Sequence, residues 1–448
     1  MIRPGRLAVV MLLATVAGTA GCAVPTVPAP AGADPATHTE KKTVDRNRMW
    51  QASLARTPLA VTVAFDRTGR LWRARVHDGQ VWLDRSPDRG QRFGEAVAVN
   101  NLPERIAADG ENRPKLAFGP AGEVYVSWTQ SLEVAFSGNV RFTRSLDGGR
   151  HFSAPLTVND NREDISHRFD SMLVTPAGHI HIVWLDKRDA QAAVRDGRRY
   201  TGVSVYAAVS TDRGASFGDG IEPRAAGRGR PASGFAANRK LADHSCECCR
   251  IAFALDPGAV AGATDLADGT PVLVWRHVYG TNTRDHALLR LDGQSQPVRV
   301  THENWALDAC PHHGPALDID RDGAVHFAWY SGAENQRGLF YAFSRDRGTT
   351  FTPPLAFGNP DAQAGHPQVL AMGTRVWLAW KEFDGNQTVI RAQHSRDAGH
   401  TFATPVTLAA SASASDHPLL VSDGVHALLS WNSVAEGHRL VPLPGDRP

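Results

Sequence analysis

Ser86-Pro-Asp88-Arg-Gly90-Gln-Arg-Phe93 is the first of five stretches cut to one pattern. The others are Ser145-Leu-Asp147-Gly-Gly149-Arg-His-Phe152, Ser210-Thr-Asp212-Arg-Gly214-Ala-Ser-Phe217, Ser344-Arg-Asp346-Arg-Gly348-Thr-Thr-Phe351 and Ser395-Arg-Asp397-Ala-Gly399-His-Thr-Phe402. The pattern S-x-D-x-G-x-x-F describes a hairpin turn. Its Asp carboxylate accepts hydrogen bonds from turn amides, its Gly takes a positive φ, and its Phe folds back onto the sheet.

A second repeat leads into each turn and continues where the turn motif is missing. It runs as an alternating strand, a Gly turn and a second strand ending in Trp, as in RPKLAFGPAGEVYVSW (Trp128), DSMLVTPAGHIHIVW (Trp184), GPALDIDRDGAVHFAW (Trp329), HPQVLAMGTRVWLAW (Trp380) and HPLLVSDGVHALLSW (Trp431). Such alternation is the strand period. Two units, around Val61 to Arg75 and Ile251 to Trp275, fit more loosely. Unit starts near residues 58, 113, 168, 250, 313, 366 and 417 count seven. The gap from Ser210 to Ser344 is about twice the others, so one unit lacks its turn motif. Recurrence of this kind predicts an all-β propeller of six or seven four-stranded blades, with seven favoured, because a closed ring removes exposed sheet edges. The short last unit would borrow its outer strand from the segment around Met49 to Leu54.

The turn motif resembles the Asp box (BNR repeat) of sialidases and their relatives, and the likeness covers most of the chain. The resemblance implies a propeller in which the box is structural and lies away from the active face. Sialidases hold the substrate carboxylate with three arginines and use a Tyr–Glu couple and an Asp for chemistry. Arg113 in NRPKLAF is similar to the family's first arginine motif, and Arg168 and Arg250 stand at equivalent unit positions, as an anion clamp requires. No Tyr falls where the nucleophile should be; His366 and His417 stand there instead. Tyr330 and Tyr341 belong to other parts of the unit.

The chain has 448 residues, 42% hydrophobic and 21% charged, with a formal net charge of +2 from 48 basic and 46 acidic side chains. These are globular values, and the near balance argues against a nucleic-acid partner. Residues 1–21 read as a lipoprotein signal peptide, with Arg3 and Arg6 before an apolar run and Thr19-Ala20-Gly21-Cys22 at its end. Cys22 is then the lipidation site, anchoring the protein to a membrane of the envelope, in the periplasm or on the outer surface. Plain secretion with Cys22 incidental is the alternative. Residues 22–47, rich in Pro and Ala, read as a tether, and 48–448 as one propeller domain.

Residues just before each inner strand of a propeller are neighbours in space. In turn they read Arg113, His167-Arg168, Cys246-Glu-Cys248-Cys249-Arg250, Cys310-Pro-His312-His313, His366 and His417. Thiol and imidazole together suit a transition metal, copper before zinc, in metal handling or redox chemistry. The competing possibility is disulfide bonding, with one of Cys246, Cys248 and Cys249 joined to Cys310. Two other functions stand beside the metal centre: an exo-sialidase-like glycoside hydrolase, or a propeller that binds glycan or protein without chemistry. No catalytic residue is assigned.

Overall fold

The computed structural model describes residues 47–52, 56–218, 237–258 and 268–446. Cys22, the signal peptide and residues 22–46 of the tether lie outside them.

Among the described residues the strands form six antiparallel sheets, one of them eight-stranded because Ser245 pairs with His277, and dividing that sheet at this single bridge leaves seven groups in chain order. The first comprises β1 (Thr62–Phe65), β2 (Leu71–His77), β3 (Gln80–Ser86) and β4 (Val97–Ala98), and the second β5 (Lys115–Phe118), β6 (Val124–Ser131), β7 (Gly138–Ser145) and β8 (Leu156–Thr157). The third holds β9 (His167–Val174), β10 (Ile180–Asp186), β11 (Val203–Ser210) and β12 (Arg239–Ser245), with a short helix, Arg188–Arg195, between its middle strands. The fourth holds β13 (Ala252–Asp256), β14 (Thr270–Tyr279), β15 (Thr283–Arg290) and β16 (Val298–Arg299). Next come β17 (Ala316–Ile319), β18 (Val325–Ala333), β19 (Gln336–Ser344) and β20 (Leu355–Phe357), then β21 (Gly365–Met372), β22 (Arg375–Phe383), β23 (Thr388–Ser395) and β24 (Val406–Ser411). The last group is β25 (Leu419–Ser422), β26 (Ala427–Ser433) and β27 (Gly437–Pro442). Each innermost strand lies beside the next, and β25 lies beside β1, so the sheets surround an axis.

The last sheet keeps three strands among the described residues. Residues 47–52 do not supply a fourth, contrary to expectation; they are helical, and 53–55 lie outside the described residues. The run Asn-Arg-Met-Trp-Gln-Ala lacks strand alternation and is rich in helix formers. Its Trp50 is buried against Phe136 and donates from Nε1 to the Leu132 carbonyl at 3.3 Å.

The second strand of six blades carries the repeat's tryptophan: Trp128, Trp184, Trp275, Trp329, Trp380 and Trp431 are each at most 2% exposed. They fill the space between sheets, and five find an acceptor for the indole N–H, which burial demands. Those acceptors are Glu104, Asp186, Glu303 and Glu382 carboxylates and the Asp416 carbonyl.

The five Asp boxes repeat one hydrogen-bond set. In each, the Ser hydroxyl donates to the Asp at 2.6–2.7 Å. The box Gly amide donates to the Ser hydroxyl at 2.7–2.9 Å. The amide four residues after the Asp donates to its carboxylate at 2.8–3.0 Å. Side-chain bonds from Arg92 and Ser86 hold the Asp88 carboxyl down at about 2. The box Gly has φ between +78° and +88° and presses on the preceding blade. A methyl on Gly90, Gly149, Gly214, Gly348 or Gly399 would fall within 3.0 Å of Leu440, Trp72, Phe142, Leu288 or Tyr341 respectively. The box is therefore a blade-to-blade joint as well as a turn. The fourth blade keeps only a remnant, in which Asp292 accepts the amides of Gln294 and Ser295 at 3.0 and 2.7 Å.

Candidate functional site

Glu111, two residues before Arg113, is the hub of the axial mouth, and its side chain is 4% exposed. It accepts from Arg250 Nη1 at 2.7 Å, from the Arg250 amide at 3.1 Å and from the Gly314 amide at 2.9 Å. His366 Nδ1 lies 3.2 Å and His417 Nδ1 3.7 Å from the same carboxylate. One carboxylate from the second blade thus ties the starts of the fourth to seventh. Burial alone would raise its pKa, but the Arg250 charge and the histidine contacts outweigh it and hold it well below the usual range.

The structure brings three of the histidines together. Rings stack in the order Tyr330, His313, His366, His417, with centres 4.2, 4.6 and 3.4 Å apart. Burial lowers all three imidazoles, His313 to about 3 and His417 well below its ordinary value. The column is therefore neutral near pH 7, an aromatic stack rather than a cationic patch.

The other expected members sit elsewhere. His167 is fully buried in its blade, with Nδ1 2.9 Å from Asp186, which also takes Trp184 Nε1 and Arg188. His312 is exposed on the loop while His313 turns inward. The three arginines do not form a clamp. Arg113 donates to the Val61 carbonyl (2.8 Å), Asp416 (3.2 Å) and the His417 carbonyl (3.3 Å), sewing the second blade to the first and last. Arg250 is consumed by Glu111 and the carbonyls of Pro315 and Pro367. Arg168 lies over the rings of Trp50 and Phe169, and among the described residues no carboxylate comes within 4.0 Å of it. A sialidase-type grip needs free guanidinium forks converging on one point, and two of these three are spent on the scaffold.

All four described cysteines are free thiols, so the competing possibility, a disulfide to Cys310, is not formed. Cys246, Cys248 and Cys249 are buried, and their sulfurs lie within 4.8 Å of one another; Cys310 is exposed, 4.0 Å from Glu247. The turn that carries them is held where the third and fourth blades join: Ser245 bridges His277 and the Cys246 amide donates to the Arg276 carbonyl at 2.8 Å.

The groove that sequence reasoning missed lies at the seam of the first and last blades. It has a volume of about 490 Å³ and is lined by Pro58, Val61, Arg73, Arg75, Trp82 and His438, among others. Its origin is a break in the repeat. Four or five residues into the second strand, where six blades place Trp, the first blade places Arg75. In the second, sixth and seventh blades that Trp faces an Arg on the third strand, as Trp128↔Arg141, Trp380↔Arg391 and Trp431↔Arg439. In the first blade the pair is inverted to Arg75↔Trp82. Arg75 and Trp82 both line the groove that results. Trp82 is half-buried and its Nε1 has no hydrogen-bond partner among the described residues. Arg73 and Arg75 both bond one carboxylate, Asp84, at 2.7 Å. Two guanidiniums on one carboxylate leave the groove a positive charge, and burial keeps His438 at about 4, hence neutral. The signal was present in LWRARVH, whose two arginines at i and i+2 share one face of a strand.

No family model and no curated protein matches this chain. Among solved structures, a polysaccharide lyase of family PL25, an ulvan lyase, aligns with a TM-score of 0.52 at 8% identity, covering 86% of this chain and 92% of the other. NanB sialidase from Streptococcus pneumoniae aligns with a TM-score of 0.42 at 9% identity, over 83% and 82%. The α-L-arabinanase of Penicillium chrysogenum aligns at 0.45 and 11%, over 72% and 88%. At such identities the first likeness concerns the fold alone, and the other two carry no argument. That fold is an all-β propeller.

Proposed function

We propose that this chain is a divergent Asp-box propeller that binds an acidic saccharide in the seam groove. One observation carries the reading: the Trp–Arg inversion in the first blade puts Trp82 and a part-exposed Arg75, held to Asp84 through one nitrogen only, on the lining of a concave site, while Arg73 is spent as a fork on Asp84. Guanidinium nitrogens match carboxylate or sulfate, and an indole offers a flat apolar face. The volume suits a ligand of one or two sugar units, within the ~300–1,000 Å³ common for small-molecule sites. Sialidase-type hydrolysis finds no support in the mouth, where Arg113 and Arg250 are held by the scaffold. We also propose that Cys22 carries a lipid that keeps this face at the envelope; the mass of the mature protein tests that separately.

Titration calorimetry with uronate-containing, sulfated and neutral oligosaccharides tests the binding. Acidic ligands should bind better than neutral ones. Trp82→Ala and Arg75→Ala should each weaken binding about ten-fold, equal to about 1.4 kcal/mol, with circular dichroism unchanged. Equal binding of neutral ligands, or wild-type affinity in both variants, overturns the proposal.

A further inference from the structure

The thiol cluster lies at another blade junction, and the saccharide reading does not use it. Cys246 Sγ is 3.7 Å from Cys248 Sγ and 3.8 Å from Cys249 Sγ. A disulfide requires about 2.0 Å, so these contacts are far too long for one. These two edges match that of a tetrahedron, ~3.8 Å, whose centre lies about 2.3 Å from each sulfur, the ordinary zinc–thiolate length, and the third edge is within 4.8 Å. A trigonal site of similar bond length has nearly the same edge.

The surroundings suit such a centre. The three cysteines are 1%, 4% and 2% exposed and belong to an apolar cluster with Phe169, Ile251, Trp275 and Val278. Water and competing oxygen ligands are thereby kept out, which favours soft thiolate chemistry. Two blades fix the backbone that presents the sulfurs, through the Ser245–His277 bridge and the Cys246–Arg276 amide bond. Cys310, from the fifth blade's leading loop, is exposed beside Glu247 at 4.0 Å and lies outside the 4.8 Å thiol group, so it reaches the site only by moving in.

We propose that Cys246, Cys248 and Cys249 form a binding site for one thiophilic d10 ion, copper(I) or zinc(II), with Cys310 closing it. Binding releases the thiol protons to solvent and changes no oxidation state. The Glu111, His366 and His417 group is not part of it, because that carboxylate is already committed to Arg250 and backbone amides.

The test uses reduced full-length protein under anaerobic conditions, loaded in separate arms with copper(I) and zinc(II) against a chromophoric chelator. One ion per chain should be retained in one arm, with metal–sulfur distances near 2.3 Å by X-ray absorption. Cys248→Ser should lower affinity at least a hundred-fold, and Cys310→Ser should lower it less. Cobalt(II) loading of the unaltered protein gives thiolate charge-transfer bands and needs no variant to fold. Loss of every metal to the chelator with no such bands overturns the proposal, as does wild-type affinity in folded Cys248→Ser. Saccharide binding in the same preparation reports on the groove independently.

Discussion

At the scale of single residues, the histidine column sets an acid limit on stability. His313 titrates at about 3 in the folded chain because it is buried, against about 6.5 in an unfolded one. Below pH 6.5 the unfolded state takes up the proton and the folded state does not, so stability falls as pH falls toward the folded pKa. Each lost pH unit costs up to about 1.4 kcal/mol per such histidine. Thermal melts between pH 7 and 5 should show this slope, and His313→Phe, which keeps the stacked ring, should flatten it. A slope unchanged by that substitution would show that His313 is not the group responsible. Glu111 explains why the column itself was readable in the sequence while its meaning was not. The spacing of His313, His366 and His417 placed them on one rim, but their neutrality follows from burial, and their anchor is a carboxylate that no motif marks. Arg113 and Arg250 mislead for the same reason, since their backbone carbonyl partners are not written in residue identity.

At the scale of an element, the Asp box is where the sequence spoke most clearly. Ser, Asp, Gly and Phe at fixed spacing encode local hydrogen bonds, and local bonds survive any change of neighbouring blade. The sequence did not disclose that the box Gly also touches the blade before it. Gly214→Ala should therefore cost more than the conformational penalty alone. Gly122, at φ +88° with nothing within 4 Å of an added methyl, measures that penalty, roughly 1 kcal/mol. At Gly214 the methyl would lie 2.6 Å from the Phe142 ring, adding an overpacking cost of about 1–3 kcal/mol. Paired denaturant titrations of the two variants give the comparison, and equal losses would reduce the box to a turn.

For the molecule as a whole, the weak point is ring closure. The last sheet has three strands among the described residues, and its tie to the first blade runs through Asp416, which accepts from the Val61 amide at 3.1 Å and from Arg113 at 3.2 Å. Asp416→Ala leaves a buried guanidinium unmatched, a loss of about 3–5 kcal/mol. Hydrogen exchange should rise first in β1 and β25–β27; a uniform rise across all blades would place the closure elsewhere. Self-similarity made the blades legible, whereas the seam had to be seen, because it is where the repeat breaks and no second copy exists to compare.

The groove at that seam has walls from both ends of the ring: Arg75 and Trp82 from one, Asn432 and His438 from the other. An occupant touching both walls is a clasp on a bracelet. By mass action it adds about 2.7 kcal/mol to the folded state at a hundred times its dissociation constant. Melting temperature should thus climb with acidic saccharide concentration, and amides in β1 and β27 should gain the most protection. Recognition at such a place doubles as mechanical reinforcement: the propeller becomes hardest to open when it is holding what it binds.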